Sequence, residues 1–568
     1  MAAPGQSREA GAASVRFLGR RVALEELPSL LPREGEHDVS RLLAGPLRSG
    51  RSWGDAFAQY QRAELLGQTH LLYAEWQREY GGAQQLSANI VVPKLLFGRE
   101  EGDVGRRAVP RRVLQVIVGN PADAARVARV HVKKQGNFTT AFYGSLISTT
   151  DVEHWRLQRE HLVPAFLPQL SLSRVFPVSA ARARQCSERL VRETNDLRET
   201  IDMNEFLLHE TEAQLQLALF GEDEAFMEAT NQKFRAAMAG KHDVRFVRAF
   251  GRELVARFAR ASNSEPVHPE EAEARASADA GQGPASPAGP ACPACPFKGP
   301  LANRVATFNP NDRSTQEGNA CIFAFAGHDT TGHTLTWLLG ELARHPAFQR
   351  QLQHEVDQFW AALAGREPAY EDLQKLPFMS RCITETLRLW PVVASGTFRE
   401  IQFDDYITGP DGSDVLLPKG SLVQIPNWSR HRNPELWGRD ADTFNPNREF
   451  VGDELWNGQP LAFYNPASPR FSPFTFPPRG CIGMNFAHLE SRLILLNLLK
   501  GFSFELTPDY LALEDGDPQL MVNYGTGAPR DLRQPRLVKY AEGGFTPSLR
   551  APTGMHFVVR RRQPDARL

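Results

Sequence analysis

No stretch of this chain approaches the roughly 20 consecutive apolar residues that a membrane-spanning helix needs, and its start offers no apolar signal-peptide core. The expectation is a soluble or peripheral protein without a transmembrane anchor, with peripheral membrane contact left open. Neither sign of charge is in excess. The 65 Lys and Arg stand against 66 Asp and Glu, for a formal net charge of -1. That balance gives no global field for nucleic acid or an anionic surface, so a charged partner must be met by a local patch. Cysteine is scarce and scattered, six in 568 residues at 186, 292, 295, 321, 382 and 481. This suits a reducing, intracellular compartment better than a disulfide framework, and the cysteines read as free thiols or metal ligands. What the chain does have is apolar material: 42% hydrophobic residues and 34 Phe can fill a large core, which excludes disorder throughout.

The first 21 residues carry Arg8, Arg16, Arg20 and Arg21 with Glu9 as their one acid, a composition that weakly resembles an organelle transit peptide. Residues 1–50 read as a polar, disordered leader, 51–560 as one domain and 561–568 as a tail. Apolar residues recur at helical spacing from Trp53 to Tyr80. A β-branched run over 112–118 predicts a strand, and Pro121 opens a helix to Val132. Helical patterns dominate 151–260. Residues 264–300 hold eight prolines and no apolar periodicity, which predicts a disordered insertion. Its Cys292 and Cys295 form a CxxC without the further ligands that zinc needs, and read as two loop thiols. Helices are then expected over 316–344, stopped by Pro346, over 346–364, and up to Pro391. Strands and turns follow over 395–423, and a last strand covers 555–559. The expected fold class is mainly α with a minor β-sheet.

Phe471 to Gly483 reads FSPFTFPPRGCIG and runs directly into a helical pattern from Met484 to Leu499. Cys481 therefore stands where a loop meets a helix N-terminus. Unpaired amides and the helix dipole stabilise a thiolate there, and Arg479 adds positive charge. Taken alone, a cysteine among apolar neighbours is usually a small buried hydrophobe.

The loop resembles the haem loop FxxGxRxCxG of the cytochrome P-450 family at Phe474, Arg479, Cys481 and Gly483. Four more motifs of that family follow its order: Trp155 and Arg159 as WxxxR, Ala326-Gly327-His328-Asp329-Thr330 as AGxDT, Glu385 to Arg388 as ExxR, and Phe444 to Arg448 as FxPxR. The resemblance covers about 50–560 and implies the P-450 fold, with the haem between a long central helix and the Cys loop. It departs at Pro477, where the motif has glycine. Proline fixes φ and removes an N–H, so the loop must turn differently.

The resemblance implies haem b with Cys481 as axial thiolate, O2 as co-substrate, and NADPH acting through a flavoprotein reductase or a ferredoxin. It also implies a monomer acting on a hydrophobic small molecule, a fatty acid or other lipid among the classes to consider. Two propionates would be costly to bury unpaired, which makes Trp155, Arg159 and Arg479 their natural partners. Arg399 is the weaker candidate and reads as a surface arginine in a solvated pair. Ala326 and Gly327 leave room for a flat macrocycle, with a local helix distortion expected. The family assigns to Thr330 a hydrogen bond to the activated oxygen and to Asp329 proton delivery. Glu385, Arg388 and Arg448 form a structural ion network. Two rival readings stay open: a hydroperoxide isomerase or dehydratase, against which the intact Asp329-Thr330 pair argues, and a non-catalytic haem-binding relative, motivated by Pro477.

Overall fold

The computed structural model describes residues 14–17, 20–23, 43–65, 68–98, 109–134, 142, 144–237, 244–263, 299–309, 311–455, 467–516, 541–543, 546–550 and 554–562. In chain order its helices are α1 (Trp53–Leu65), α2 (Thr69–Tyr80), α3 (Pro121–Val130), α4 (Val152–Leu162), α5 (Ser173–Glu193), α6 (Met203–Gln214), α7 (Glu224–Ala236), α8 (Val244–Asn263), α9 (Pro300–Thr307), α10 (Arg313–Arg344), α11 (Pro346–Ala362), α12 (Pro377–Leu389), α13 (Asn427–His431), α14 (Pro434–Trp437), α15 (Met484–Gly501) and α16 (Pro508–Gly516). The strands are β1 (Ser14–Phe17), β2 (Arg20–Ala23), β3 (Ile90–Gly98), β4 (Val109–Ile117), β5 (Ile201–Asp202), β6 (Thr397–Glu400), β7 (Asp405–Thr408), β8 (Asp414–Leu417), β9 (Leu422–Ile425), β10 (Phe502–Leu506), β11 (Ala541–Gly543), β12 (Thr546–Arg550) and β13 (His556–Arg561). The largest sheet has four strands in the order β3-β4-β9-β6, with β4 and β9 parallel. The fold is mainly α with minor sheets, as expected.

Several boundaries move for identifiable reasons. The run over Trp53–Tyr80 is two helices, not one. The central helix starts at Arg313 because the Asp312 carboxylate accepts from the Thr315 N–H at 3.1 Å and caps it. Order begins before residue 50: β1 pairs antiparallel with β2, Leu43 is fully buried, and Ala44 bridges Ile90. At the other end Arg561 lies in β13, and Arg562 pairs with Asp357 at 2.6 Å. Pro300 does not close the insertion but opens α9, its missing N–H being harmless in the first turn. The rest of that insertion, residues 264–298 with Cys292 and Cys295, lies outside the described residues.

α10 is the axis of the molecule and is buried along most of its length. α6, α8 and α12 pack on it, and α15 packs on α5. The approach of α6 is close because two glycines permit it. A Cβ on Gly332 would sit 3.0 Å from the Leu208 Cα, and one on Gly327 would sit 2.7 Å from the Leu215 side chain. Among the described residues no helix is long and apolar enough to cross a membrane.

Candidate functional site

The Cys481 loop is held from both ends. The fully buried Arg430 donates to the Ser472 hydroxyl at 2.7 Å, and the Cys481 N–H donates to the Phe474 carbonyl at 2.9 Å. The left-handed residue of the loop is Thr475 (φ 58°), while Pro477 and Pro478 are joined by a cis peptide. The turn that glycine would make at 477 is thus replaced by one two residues earlier. Gly483 is the N-cap of α15. The thiol opens onto a cavity yet is enclosed by protein. Burial pushes its pKa up, while the Gly483 and Met484 amides and the Arg159 and Lys134 charges pull it down.

That cavity, about 370 Å³, lies between α10 and the loop. Ala326, Gly327 and Thr330 form one wall, and Phe474, Cys481 and Gly483 belong to the other. α10 runs through 326–331 unbroken, so the expected local distortion is absent. Small side chains alone open the space. The Thr330 hydroxyl donates to the Ala326 carbonyl at 3.2 Å while its side chain lines the cavity. Asp329 is buried, off the cavity wall, with Oδ1 3.5 Å from the His333 Nε2. Glu490 of α15, also on the wall and fully buried, is pushed well above the carboxylate range by desolvation.

Cations collect at the cavity rim. Arg159 donates to the Gly480 carbonyl at 2.8 Å, and the Arg479 guanidinium lies 4.2 Å over the Trp155 ring with Nε donating to the Val132 carbonyl at 2.9 Å. Arg399 corrects the surface reading: it is fully buried, donating to Thr397 Oγ1 at 2.6 Å and to the Phe398 carbonyl at 2.9 Å. It faces inward because β6 alternates sides beside β9, Arg399 lying opposite Val423. Lys134, not singled out from sequence, also lines the cavity. Its pKa is driven well below the ordinary lysine value by burial and by the Arg399 and Arg479 charges. Burial, with Arg399 and Arg159 nearby, likewise pulls Arg479 down to about 9. Among the described residues no carboxylate pairs with Lys134, Arg159 or Arg479, and the buried Nη2 of Arg479 has no hydrogen-bond partner. The buried Arg479, with the half-buried Lys134 and Arg159 beside it and no acid paired to any of them, makes a site for a dianion. A thiol on the cavity wall, cations at its rim and small residues opposite fit haem with two propionates.

Beneath the site, Glu385 and Arg388 are fully buried. Arg388 donates to both Glu385 oxygens at 2.7 Å and to the His431 and Ala441 carbonyls at 2.8 and 2.6 Å. Arg448 reaches Glu385 Oε1 at 3.2 Å and Asp440 at 2.9 Å. Every charge here has a partner, so this network is architecture.

Residues 314–522 match the family model of cytochrome P-450. Over 215 residues the chain is 34% identical to a putative cytochrome P-450 of Caenorhabditis elegans, covering 38% of this chain and 37% of that one. It is 37% identical over 230 residues to leukotriene-B4 omega-hydroxylase 3 of Mus musculus, covering 40% and 36%. With cytokinin hydroxylase of Arabidopsis thaliana it shares 36% over 190 residues, 33% of each chain. These matches thus span little more than a third of the relatives' own length. A solved cytochrome P-450 superposes with a TM-score of 0.55 at 20% identity, covering 79% of this chain and 89% of that one, which extends the likeness in fold beyond the matched segment. The thiolate loop, the ion network and all but the first residue of the central helix lie inside the matched residues, so the likeness to cytochrome P-450 is carried by the segment that builds the site.

Proposed function

We propose that this protein is a haem-thiolate monooxygenase that inserts an oxygen atom of O2 into a hydrophobic small molecule. Electrons come from a flavoprotein reductase or a ferredoxin, with NADPH as their source. The observation that carries this reading is Cys481 facing Thr330 across a cavity whose cationic rim lacks acids. Haem b would be held by Cys481 and would supply oxygen activation, which thiolate ligation favours. Lys134, Arg159 and Arg479 would hold the propionates, with Trp155 stacked on Arg479. Leu215, Ile322 and Phe323 exclude water from the cavity and favour an apolar substrate. A lipid chain is the favoured class, supported by the match to the mouse leukotriene hydroxylase. Thr330 Oγ1 can take and give a proton at the cavity wall, and Asp329 stands one residue behind it as the acid.

The test is reductant-dependent oxygen consumption with a panel of fatty acids, sterols and terpenoids, comparing the parent with Thr330→Ala. The variant should keep haem and carbon monoxide binding, which need no hydroxyl. Product per reductant should fall roughly tenfold or more, with hydrogen peroxide released instead. Parent-like coupling on several good substrates would make Thr330 a back-bonded helix threonine and sink its assigned role.

A further inference from the structure

Asp329 lies off the cavity wall beside His333, and the seam between α6 and α10 there carries polar side chains of which the reaction as described uses only Asp329. Asn204 and Glu212 come from α6, and His328, Asp329 and His333 from α10; all five are buried. Asp329 and His333 are four residues apart and share a helix face. The His333 Nε2 lies 3.5 Å from Asp329 Oδ1, and its Nδ1 lies 2.8 Å from the Asn204 side-chain oxygen. An amide oxygen only accepts, so Nδ1 carries a proton and donates to it, and Nε2 is turned to Asp329. Asn204 is anchored in turn by its N–H to Asp202 Oδ1 at 3.0 Å, and Asp202 also receives the Met555 N–H at 2.9 Å. Asp202 is partly exposed, which brings the far end of this chain of groups to solvent.

Two further titratable groups lie in the seam. His328 is tied through Nδ1 to the Ala324 carbonyl at 2.7 Å and is held to about 4 by burial. Burial pushes Glu212, 4.0 Å from His328, up to about 8 despite Arg235. Arg235 itself is paired with Glu205.

We propose that His333, oriented by Asn204, is a positioning residue for Asp329, holding its carboxyl at the α6–α10 seam one residue from Thr330. This rests on the monooxygenase reading above.

The test uses the reduced, carbon monoxide-bound holoenzyme, which is diamagnetic, labelled with 15N-histidine. The His333 signal is identified by its loss in His333→Gln. In the parent its Nδ1 should be protonated. Asn204→Leu should spread the ring over both tautomers, and Asn204→Asp, which keeps an acceptor oxygen, should restore the pattern. In turnover Asn204→Leu and His333→Gln should lose product formation on the order of tenfold and raise the solvent deuterium isotope effect. An unchanged His333 pattern in Asn204→Leu, or parent-like product yield and isotope effect in both variants at full haem content, would overturn the proposal. A parent that forms no product with any donor would instead overturn the monooxygenase reading, and the nitrogen pattern would still decide whether Asn204 orients His333.

Discussion

Two arginine clusters lie within the site region, and they differ in what closes them. Around Glu385 the guanidinium of Arg388 meets two carboxylate oxygens and three carbonyls, and Arg448 adds Asp440. At the cavity rim Arg159 and Arg479 meet carbonyls and an indole face, and burial lowers the pKa of both. The first cluster is complete in the polypeptide. The second meets no carboxylate among the described residues, and under the proposed function the haem propionates would complete it. The contrast separates a buried charge that shapes the fold from one that waits for a ligand, although sequence alone shows both simply as arginines.

The largest effect should come from opening the closed cluster. Arg388→Leu leaves the buried Glu385 with only the 3.2 Å contact to Arg448 as a charge partner and should destabilise the protein by about 3–5 kcal/mol, read by denaturant unfolding. A loss under 1 kcal/mol would mean that the network is not what holds this region. Arg479→Gln tests the open cluster and should split affinity from stability. Haem binding should weaken by about 1.5–3 kcal/mol, the worth of a hydrogen bond to a charged group, while the apo-protein keeps or gains stability because an unpaired buried charge is gone. Equal loss in apo and haem-bound protein would make Arg479 architectural too.

Glu212 sharpens the comparison at the scale of one side chain, as a buried acid only partly compensated by Arg235 at 4.0 Å. Its folded pKa is raised from 4.5 to about 8, so its favourable contribution is complete below pH 4.5 and is lost as the pH rises through 8. Between pH 5 and 8.5 that loss should be on the order of 4 kcal/mol and should shrink in Glu212→Gln. An identical pH slope in parent and variant would show that Glu212 does not titrate in this way.

What the sequence revealed and what it hid follow the same division. Cys481, Glu385, Arg388 and Arg448 are legible because local spacing places them at a helix start or on one helix face, and the motif order ties distant segments together. Arg399 was misread because one arginine in a short strand carries no burial signal until β9 is set beside β6. Lys134 follows α3 in irregular chain, where no periodicity marks a side chain as inward. His333 and Asn204 each look like ordinary helix interior. Their meeting depends on the close α6–α10 approach at Gly327 and Gly332, a tertiary fact. The early limit of the fold, expected near residue 50, was missed because Leu43 and Ala44 are single apolar contacts in a polar stretch.

The central claim is that Cys481 ligates haem iron at a site whose cations await the propionates. The most direct measurement is the absorption difference spectrum of the reduced protein with and without carbon monoxide, for the parent and for Cys481→Ala. The account predicts the strongly red-shifted Soret band of a thiolate-ligated haem in the parent and its complete loss in the variant. That band persisting in Cys481→Ala would contradict it.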